Sequence, residues 1–496
     1  MAVVSVATWL APMNLAIVAL ALFVGYLLLR PKRWRGNPPP GPSGWPVIGS
    51  MFQLGKRPEI FLTKMSERYG DIFSLNLGEK RAVVVNTCET WAEAIIEKGH
   101  IFADRPDLFS FKLEEAGNQH HGVGFTRASE MQRKKIKVVR AALNSAIPEV
   151  AEKFNTIIAS EVALLMQDVA NENGKPFDPY HVIEFCYINI LGMWLYGKIF
   201  QQRDEQYLKW ADTFAKRLEL GSCLLVDWFP SLACVTSGKA KELKGLVQTM
   251  VGWHMKLLEE HRQTLNESSP RDFLDHLLIQ QQKGKLMVSD TDICCVLDDL
   301  QSAGFDTVTA NTNWGIQLLV QNPDVQKKLQ AEIDEVVGSG RAPTTKDRRN
   351  MPYLEATLWE IQRVGMILPM PGVRGALSDT TLGGFDIPKD TVLMANHAKM
   401  AMNPINFPQP QKFDPSRYLD ENGVVVAPDK NIMLFGNGFR ICPGMQLARD
   451  MMFTVMANLL QRFTFELPEG VTAFPVGRTD GLVQYPLPFK IRAIAR

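Results

Sequence analysis

The 496-residue chain has almost no net charge: 54 Lys and Arg stand against 53 Asp and Glu, a formal balance of +1. A general nucleic-acid binder needs a Lys/Arg excess to neutralise phosphates, so no nucleic-acid partner is expected. Paired cysteines are missing too. The seven cysteines (Cys88, Cys186, Cys223, Cys234, Cys294, Cys295 and Cys442) are odd in number and form no C-x-x-C, which disfavours a disulfide scaffold and a zinc ribbon. No G-x-S-x-G elbow, H-E-x-x-H or Walker loop occurs, nor any internal repeat or low-complexity segment. His120-His121 reads as structural or exposed, and the glycosylation sequon at Asn266 would be silent on a cytosolic body.

Charge is also absent from Met1 to Leu29, and Leu15 to Leu29 has no strongly polar group. Taken as one helix, the 21 residues from Trp9 to Leu29 rise about 1.5 Å each and cover roughly the 30 Å of a bilayer core. A cleaved signal peptide would carry its basic residues ahead of the apolar run. Here Arg30, Lys32, Arg33 and Arg35 follow it, which predicts an uncleaved single-pass anchor with the rest of the chain in the cytosol. Pro38 to Pro42 and Gly44-Trp45-Pro46 then read as a stiff extended linker, because proline fixes φ and removes N–H donors. The expected division is 1–29 anchor, 30–47 basic stop and Pro-rich hinge, and 48–496 a catalytic domain.

Within that body, Ile72 to Leu77 and Arg81 to Asn86 alternate like strands around Gly78-Glu79-Lys80, predicting a hairpin. From Pro148 to Gly338 apolar residues recur at helical spacing. Short β-like segments follow at Val373 to Leu377 and Thr391 to Met394. An irregular stretch runs from Asn403 to Asn431, then a helix after Pro443 and a strand-like tail. The predicted class is mainly α (α+β): a large helical domain with small sheets.

The most specific feature is Phe435-Gly436-Asn437-Gly438-Phe439-Arg440-Ile441-Cys442-Pro443-Gly444, followed by a helical pattern. A cysteine at a helix N-terminus, beside an arginine and free N–H groups, is predicted to have a stabilised thiolate and to be a good iron ligand. Gly436, Gly438 and Gly444 would permit positive φ and close backbone approach to a flat macrocycle, with Phe435 packed beside the sulfur. A second feature is Ala303-Gly304-Phe305-Asp306-Thr307, inside a helical run from about Asp292 to Gln321. Gly304 weakens the helix and Thr307 can bond the carbonyl four residues back, which predicts a local kink. A third is Glu360-Ile361-Gln362-Arg363, an i, i+3 pair on one helix face, with Arg417 in Phe413-Asp414-Pro415-Ser416-Arg417 some fifty residues on.

The pattern F-x-x-G-x-R-x-C-x-G resembles the haem-binding loop of the cytochrome P450 family. Ala303 to Thr307 resembles its A-G-x-[DE]-T segment, and Glu360 to Arg363 with Arg417 its E-x-x-R network. The resemblance extends over nearly the whole chain and implies a cytochrome P450-like fold. It implies Cys442 as axial ligand of haem b, whose cradle includes Phe435, Gly438 and Gly444. Arg440 and Arg374 would lie at the propionates, and Glu360, Arg363 and Arg417 in the network holding the loop. Asp306 and Thr307 become the catalytic pair, handling bound oxygen and protons. The family's W-x-x-x-R site is here Met131 to Lys137, without tryptophan. Arg133, Lys134, Lys135 or Lys137 could face the haem, and a solvated or reductase-facing surface is an equally good reading.

The activity implied is a microsomal monooxygenase of the endoplasmic reticulum membrane. It inserts one oxygen atom into a hydrophobic substrate, with electrons from NADPH through a flavoprotein reductase and with cytochrome b5 as a further partner. The alternatives are a haem-thiolate isomerase or lyase and a non-catalytic haem sensor; intact Asp306 and Thr307 argue for oxygen activation. The wording of 303–309 and of Asn322 to Lys328 resembles the group that oxidises planar aromatic xenobiotics and steroids. Phe109, Phe111, Ala303, Phe305, Leu368, Val373, Leu482 and Val483 are candidate pocket residues, each equally readable as core.

Overall fold

Two alternating apolar runs meet at a glycine-led turn, and this starts the small β portion of the fold. In the computed structural model, which describes residues 34, 36–117, 120–143, 148–200, 204–221, 225–232, 238–286, 288–426 and 434–496, β1 (Ile72–Leu77) pairs antiparallel with β2 (Lys80–Val85). The connecting turn needs only Gly78 and Glu79. Gly78 has φ +57°, and an added Cβ would lie 2.5 Å from the Trp228 carbonyl oxygen, so glycine is required twice over. A helix, α1 (Pro58–Tyr69), precedes the hairpin.

The body is built from the predicted helices, numbered in chain order from their longer members: α2 (Glu130–Leu143), α3 (Pro148–Asn171), α4 (Tyr180–Tyr196), α5 (Glu205–Gly221), α6 (Gly238–Thr264), α7 (Phe273–Gln282), α8 (Asp290–Gln321), α9 (Pro323–Val336) and α10 (Pro352–Gly365). Ser289 caps α8, with a reciprocal bond between Asp292 and the Ser289 backbone. Every residue of α8 from Val308 to Val320 is buried. The helix is the axis around which α4, α6, α10 and the later α11 (Met445–Arg462) pack. The expected kink is not an interruption, since α8 is helical throughout. Its glycine serves packing instead: a Cβ at Gly304 would lie 2.8 Å from Leu191 Cδ1 on α4.

Strands β3 (Arg374–Gly375), β4 (Thr380–Leu382), β5 (Phe385–Ile387) and β6 (Val392–Ala395) follow α10, and β7 (Phe463–Glu466) pairs with β8 (Arg492–Ala495) at the end. The four-stranded sheet has the order β1-β2-β6-β3, with β2 and β6 parallel in the register Ala82↔Val392. Arg374 therefore enters the site from the edge of a sheet begun 300 residues earlier.

The Pro-rich stretch departs from expectation. From Asn37 onward it is laced to the body: the Pro40 carbonyl accepts from Ser74 N (2.7 Å), Pro39 O from Ser74 Oγ (2.9 Å), and Asn37 N donates to Asp386 (2.7 Å). Proline leaves its carbonyls free for such bonds. The apolar run 1–29 and Arg30, Lys32, Arg33 and Arg35 lie outside the described residues. Among the described residues no helix is long and apolar enough to cross a membrane.

Candidate active site

The Cys442 loop is held open by glycine. Gly438 (φ +65°) passes so close to Ile95 that an added Cβ would lie 2.2 Å from its carbonyl oxygen, and Gly436 has φ +71°. Gly444 does not share this property: its φ is −92°, and it serves as the N-cap of α11. Cys442 N donates to Phe435 O (2.8 Å), closing the loop, and the Phe435 ring meets Trp359 edge-on at 6.1 Å. The cation that reaches the loop is Arg140, bonded to Ile441 O (3.4 Å); Arg440 points elsewhere. Loss of water raises the Cys442 thiol above its ordinary pKa, and the Gly444 N–H and Arg140 only partly oppose this. The expected self-stabilised thiolate is therefore corrected. In such surroundings a coordinated cation is what removes the proton.

Arg440 instead donates to the carbonyls of Ala103 (2.8 Å), Val123 (3.3 Å) and Thr126 (2.6 Å). Arg105 lies beside it, bonded to Gly124, Gly372 and Val373 carbonyls. Arg374 is buried, and no described residue accepts from its guanidinium. Desolvation, then the neighbouring charge of Arg440, lowers Arg374 to about 9; burial alone brings Arg440 to about 10. His397 is held down to about 4 by burial and Arg374. Its Nε2, like Trp91 Nε1 whose ring it meets edge-on, is buried with no hydrogen-bond partner among the described residues. Three crowded cations, two bonded only to carbonyls and Arg374 to no described acceptor, together with two ring nitrogens that have no described partner, make a donor set in which no carboxylate takes a hydrogen bond. Two carboxylates of a haem would fit it, and the expected Arg374 and Arg440 lie in this cluster with Arg105 beside them.

Between Leu300 and Val320, α8 keeps some exposure at Leu300, Ser302, Ala303, Gly304 and Thr307, and Leu300, Ala303, Gly304 and Thr307 form an i, i+3, i+4, i+7 stripe. Thr307 Oγ1 donates to Ala303 O at 2.7 Å, the back-bond expected from sequence. Asp306 flanks the stripe and is 5% exposed. Burial pushes its carboxyl up to about 6, although Tyr485 donates a hydrogen bond to Oδ1 (2.5 Å) that favours the charged form.

The E-x-x-R pair is fully buried. Glu360 accepts from Arg363 Nε (2.8 Å) and Nη2 (2.7 Å), Arg417 Nε (3.1 Å) and Asp414 N (2.9 Å). Arg363 also donates to the Ala401, Pro410 and Lys412 carbonyls and lies 5.0 Å over the Phe407 ring. The adjacent Trp359 carries this rigidity to Phe435 and so to the cysteine loop.

A sequence profile described as Cytochrome P450 matches residues 39–493. The chain belongs to the cytochrome P450 family. This P450 is 32% identical over 452 residues to Cytochrome P450 1A2 of Felis catus, covering 87% of each chain. It is 30% identical over 508 residues to Cytochrome P450 2U1 of Mus musculus (96% of this chain, 94% of that one), and 31% identical over 463 residues to Cytochrome P450 1A2 of Homo sapiens (89% of each). It is thus a P450 monooxygenase with haem b as cofactor and electrons from NADPH through a reductase.

The P450's remaining expected residues are scattered. Ala303 is on the open stripe, but Phe305 is not. Two residues on, it is turned about 200° away, 1% exposed and packed against Trp210 (5.4 Å) and Phe214 (4.9 Å) of α5. Phe111 packs against Phe125, tilted with centroids 4.7 Å apart, and Phe109 packs on the cluster of Leu113 and Leu243. Leu368 and Val483 pack partly buried on the helical core and Val373 on the sheet core, while Leu482 is 45% exposed. Of the basic segment, Lys135 is buried against Asp292 and the His120 and His121 carbonyls. Arg133, Lys134 and Lys137 are exposed, Arg133 lying 5.7 Å over the Phe439 ring and Lys134 pairing with Glu130. Arg105, Arg140, His397 and Tyr485 escaped the sequence reading because none sits at a telling spacing.

Proposed function

We propose that this cytochrome P450 is a membrane-attached monooxygenase that places one oxygen atom from O2 into a small hydrophobic substrate, a steroid or an aromatic xenobiotic. The observation that carries the site assignment is the anion-poor cluster of Arg105, Arg374, Arg440 and His397 beside the Cys442 loop. Haem held by a thiolate supplies the activation of dioxygen. Around it the chain does the rest. Cys442 is the metal ligand, kept in place by Phe435 and the Glu360–Arg363–Arg417 network. Arg105, Arg374 and Arg440 neutralise the propionates. Ala303 and Gly304, having almost no side chain, leave room along α8, Thr307 presents a hydroxyl there, and Asp306 holds a proton at a pKa near neutrality, as a general acid requires.

The exposed Arg133, Lys134 and Lys137, with Phe439 at 52% exposure, form a basic surface with an apolar centre on the same side as Cys442. That surface suits an acidic flavoprotein reductase, and cytochrome b5 as an alternative donor. The uncharged run 1–29 followed by four basic residues supports a single crossing of the endoplasmic reticulum membrane with the body in the cytosol.

The test is the difference spectrum of the reduced protein with and without carbon monoxide. The strongly red-shifted band of thiolate ligation is expected in the native protein and its loss in Cys442→Ala. A variant that keeps both band and turnover would remove Cys442 from its role.

A further inference from the structure

Asp306 is buried, so a proton it gives up must be replaced from somewhere. A row of neighbouring oxygen and nitrogen atoms leads away from it. Tyr485, in the C-terminal segment, donates from its hydroxyl to Asp306 Oδ1 (2.5 Å) and lies 2.9 Å from Asp306 O. The Tyr485 and Tyr180 rings meet edge-to-face at 5.3 Å, which brings their hydroxyls near each other. Tyr180, the first residue of α4, donates to Glu184 Oε1 (2.9 Å), one turn along. Glu184 Oε2 lies 3.6 Å from His181 Nδ1, and the His181 side chain is 82% exposed. Four elements of structure, α8, the C-terminal segment, α4 and α5 through Tyr207 on Glu184 (3.2 Å), converge on this file.

We propose that Tyr485, Tyr180 and Glu184 are the route by which protons travel from solvent at His181 to Asp306. The inference rests on the monooxygenase reading above, in which Asp306 is the group that must be recharged. A transfer starts when the His181 imidazolium hands its proton to the Glu184 carboxylate and the Tyr180 hydroxyl turns toward Tyr485. The Glu184 proton passes to the Tyr180 oxygen as the Tyr180 proton passes to Tyr485 and the Tyr485 proton to Asp306. Three O–H bonds break and three form, no electron moves, and the negative charge ends on Glu184. His181 then regains its own proton from water. Rotation of the two hydroxyls restores the starting arrangement.

The charges facing the file support this use. Asp306 faces Tyr485 and Glu184. Glu184 faces Tyr180, Tyr207 and His181, and His181 faces Glu184 and Asp178. Both tyrosines are pushed well above the ordinary phenol value, by burial first and by these carboxylates next, so they stay protonated and pass protons without ionising. His181 is raised by its bond to Glu184, which keeps a proton available near neutrality.

Tyr180→Phe removes one hydroxyl, keeps the ring contact and touches neither Asp306 nor the haem loop. With the reductase and 7-ethoxycoumarin as probe, NADPH-driven product formation is expected to fall about ten- to a hundredfold with a larger solvent deuterium isotope effect. Product formation driven by hydrogen peroxide, which brings its own protons, is expected to stay at the native level. An unchanged NADPH-driven rate, or an equal loss in both reactions, overturns the proposal. The carbon monoxide spectrum separates this from a failure of the thiolate reading, because it is expected to be native in the variant. A readout without turnover is the infrared carboxyl band of Asp306, assigned by its absence in Asp306→Asn. Its titration midpoint is expected to rise in Tyr485→Phe, which loses a bond to the carboxylate, and to stay in place in Tyr180→Phe. A midpoint unmoved in Tyr485→Phe would remove the first link.

Discussion

Enclosed in the packing of α8, the Asp306 carboxyl releases its proton near pH 6, whereas an unfolded aspartate does so near 3.8. The folded protein thus binds the proton more tightly than the unfolded chain. The contribution to stability is complete below the unfolded value and is lost as pH rises through about 6. A rise from 3.8 to about 6 is worth about 3 kcal/mol at most. Denaturant unfolding at pH 5 and pH 7.5 is expected to show a drop of up to about 1.4 kcal/mol in the native protein, since pH 5 lies only about one unit below the folded value, and a smaller one in Asp306→Asn. Equal slopes would place the carboxyl in water. Asp306, Thr307 and Cys442 were legible in the sequence because their neighbours in the chain are also their neighbours in space; the Thr307 back-bond to Ala303 is a four-residue contact. Arg105, His397 and Tyr485 were not, since each gains its role by approaching residues some twenty to three hundred positions away. Arg440 was legible as a haem-loop residue but misread as the thiolate's partner, because the carbonyls of Ala103, Val123 and Thr126 arrive from another part of the chain.

At the level of elements, one turn of α10 reaches a loop eighty residues later through the contact of Trp359 with Phe435. Glu360→Gln leaves the buried Arg363 and the half-buried Arg417 without their counter-charge, a change expected to cost about 3–5 kcal/mol. It should be seen as a lower melting temperature together with poor haem incorporation on expression. Gly304→Ala pushes a methyl into Leu191 and should cost about 1–3 kcal/mol by parting α4 from α8, measurable in the same melts. A variant as stable as the native chain would mean that Leu191 moves freely aside. The helices and the hairpin could be drawn from periodicity alone, with β2 beginning one residue early because its turn needs only two residues. The docking of the Pro-rich stretch could not, since its partners Ser74 and Asp386 are remote and proline carbonyls carry no pattern of their own.

Across the whole molecule the same residues pull in opposite directions with and without the cofactor. Arg374, Arg105 and Arg440 repel one another when no anion lies among them. Arg374→Met is therefore expected to stabilise the haem-free protein by about 1–3 kcal/mol while speeding haem loss to an acceptor protein. If the variant destabilised both forms, the cluster would be structural. Removal of residues 1–33 is expected to leave the carbon monoxide spectrum intact and to reduce sedimentation with membranes.

The parallel pairing of β2 with β6 joins Ala82 to Val392, about 310 residues later. During synthesis at about 5–20 residues per second, the inner edge of β2 waits some 15–60 s for its partner. Through that interval the ribosome carries a nascent chain whose Val83, Val84 and Val85 have a strand on one side only. Yield in a cell should therefore be governed by chaperone supply and translation speed, more than by the equilibrium stability of the finished enzyme.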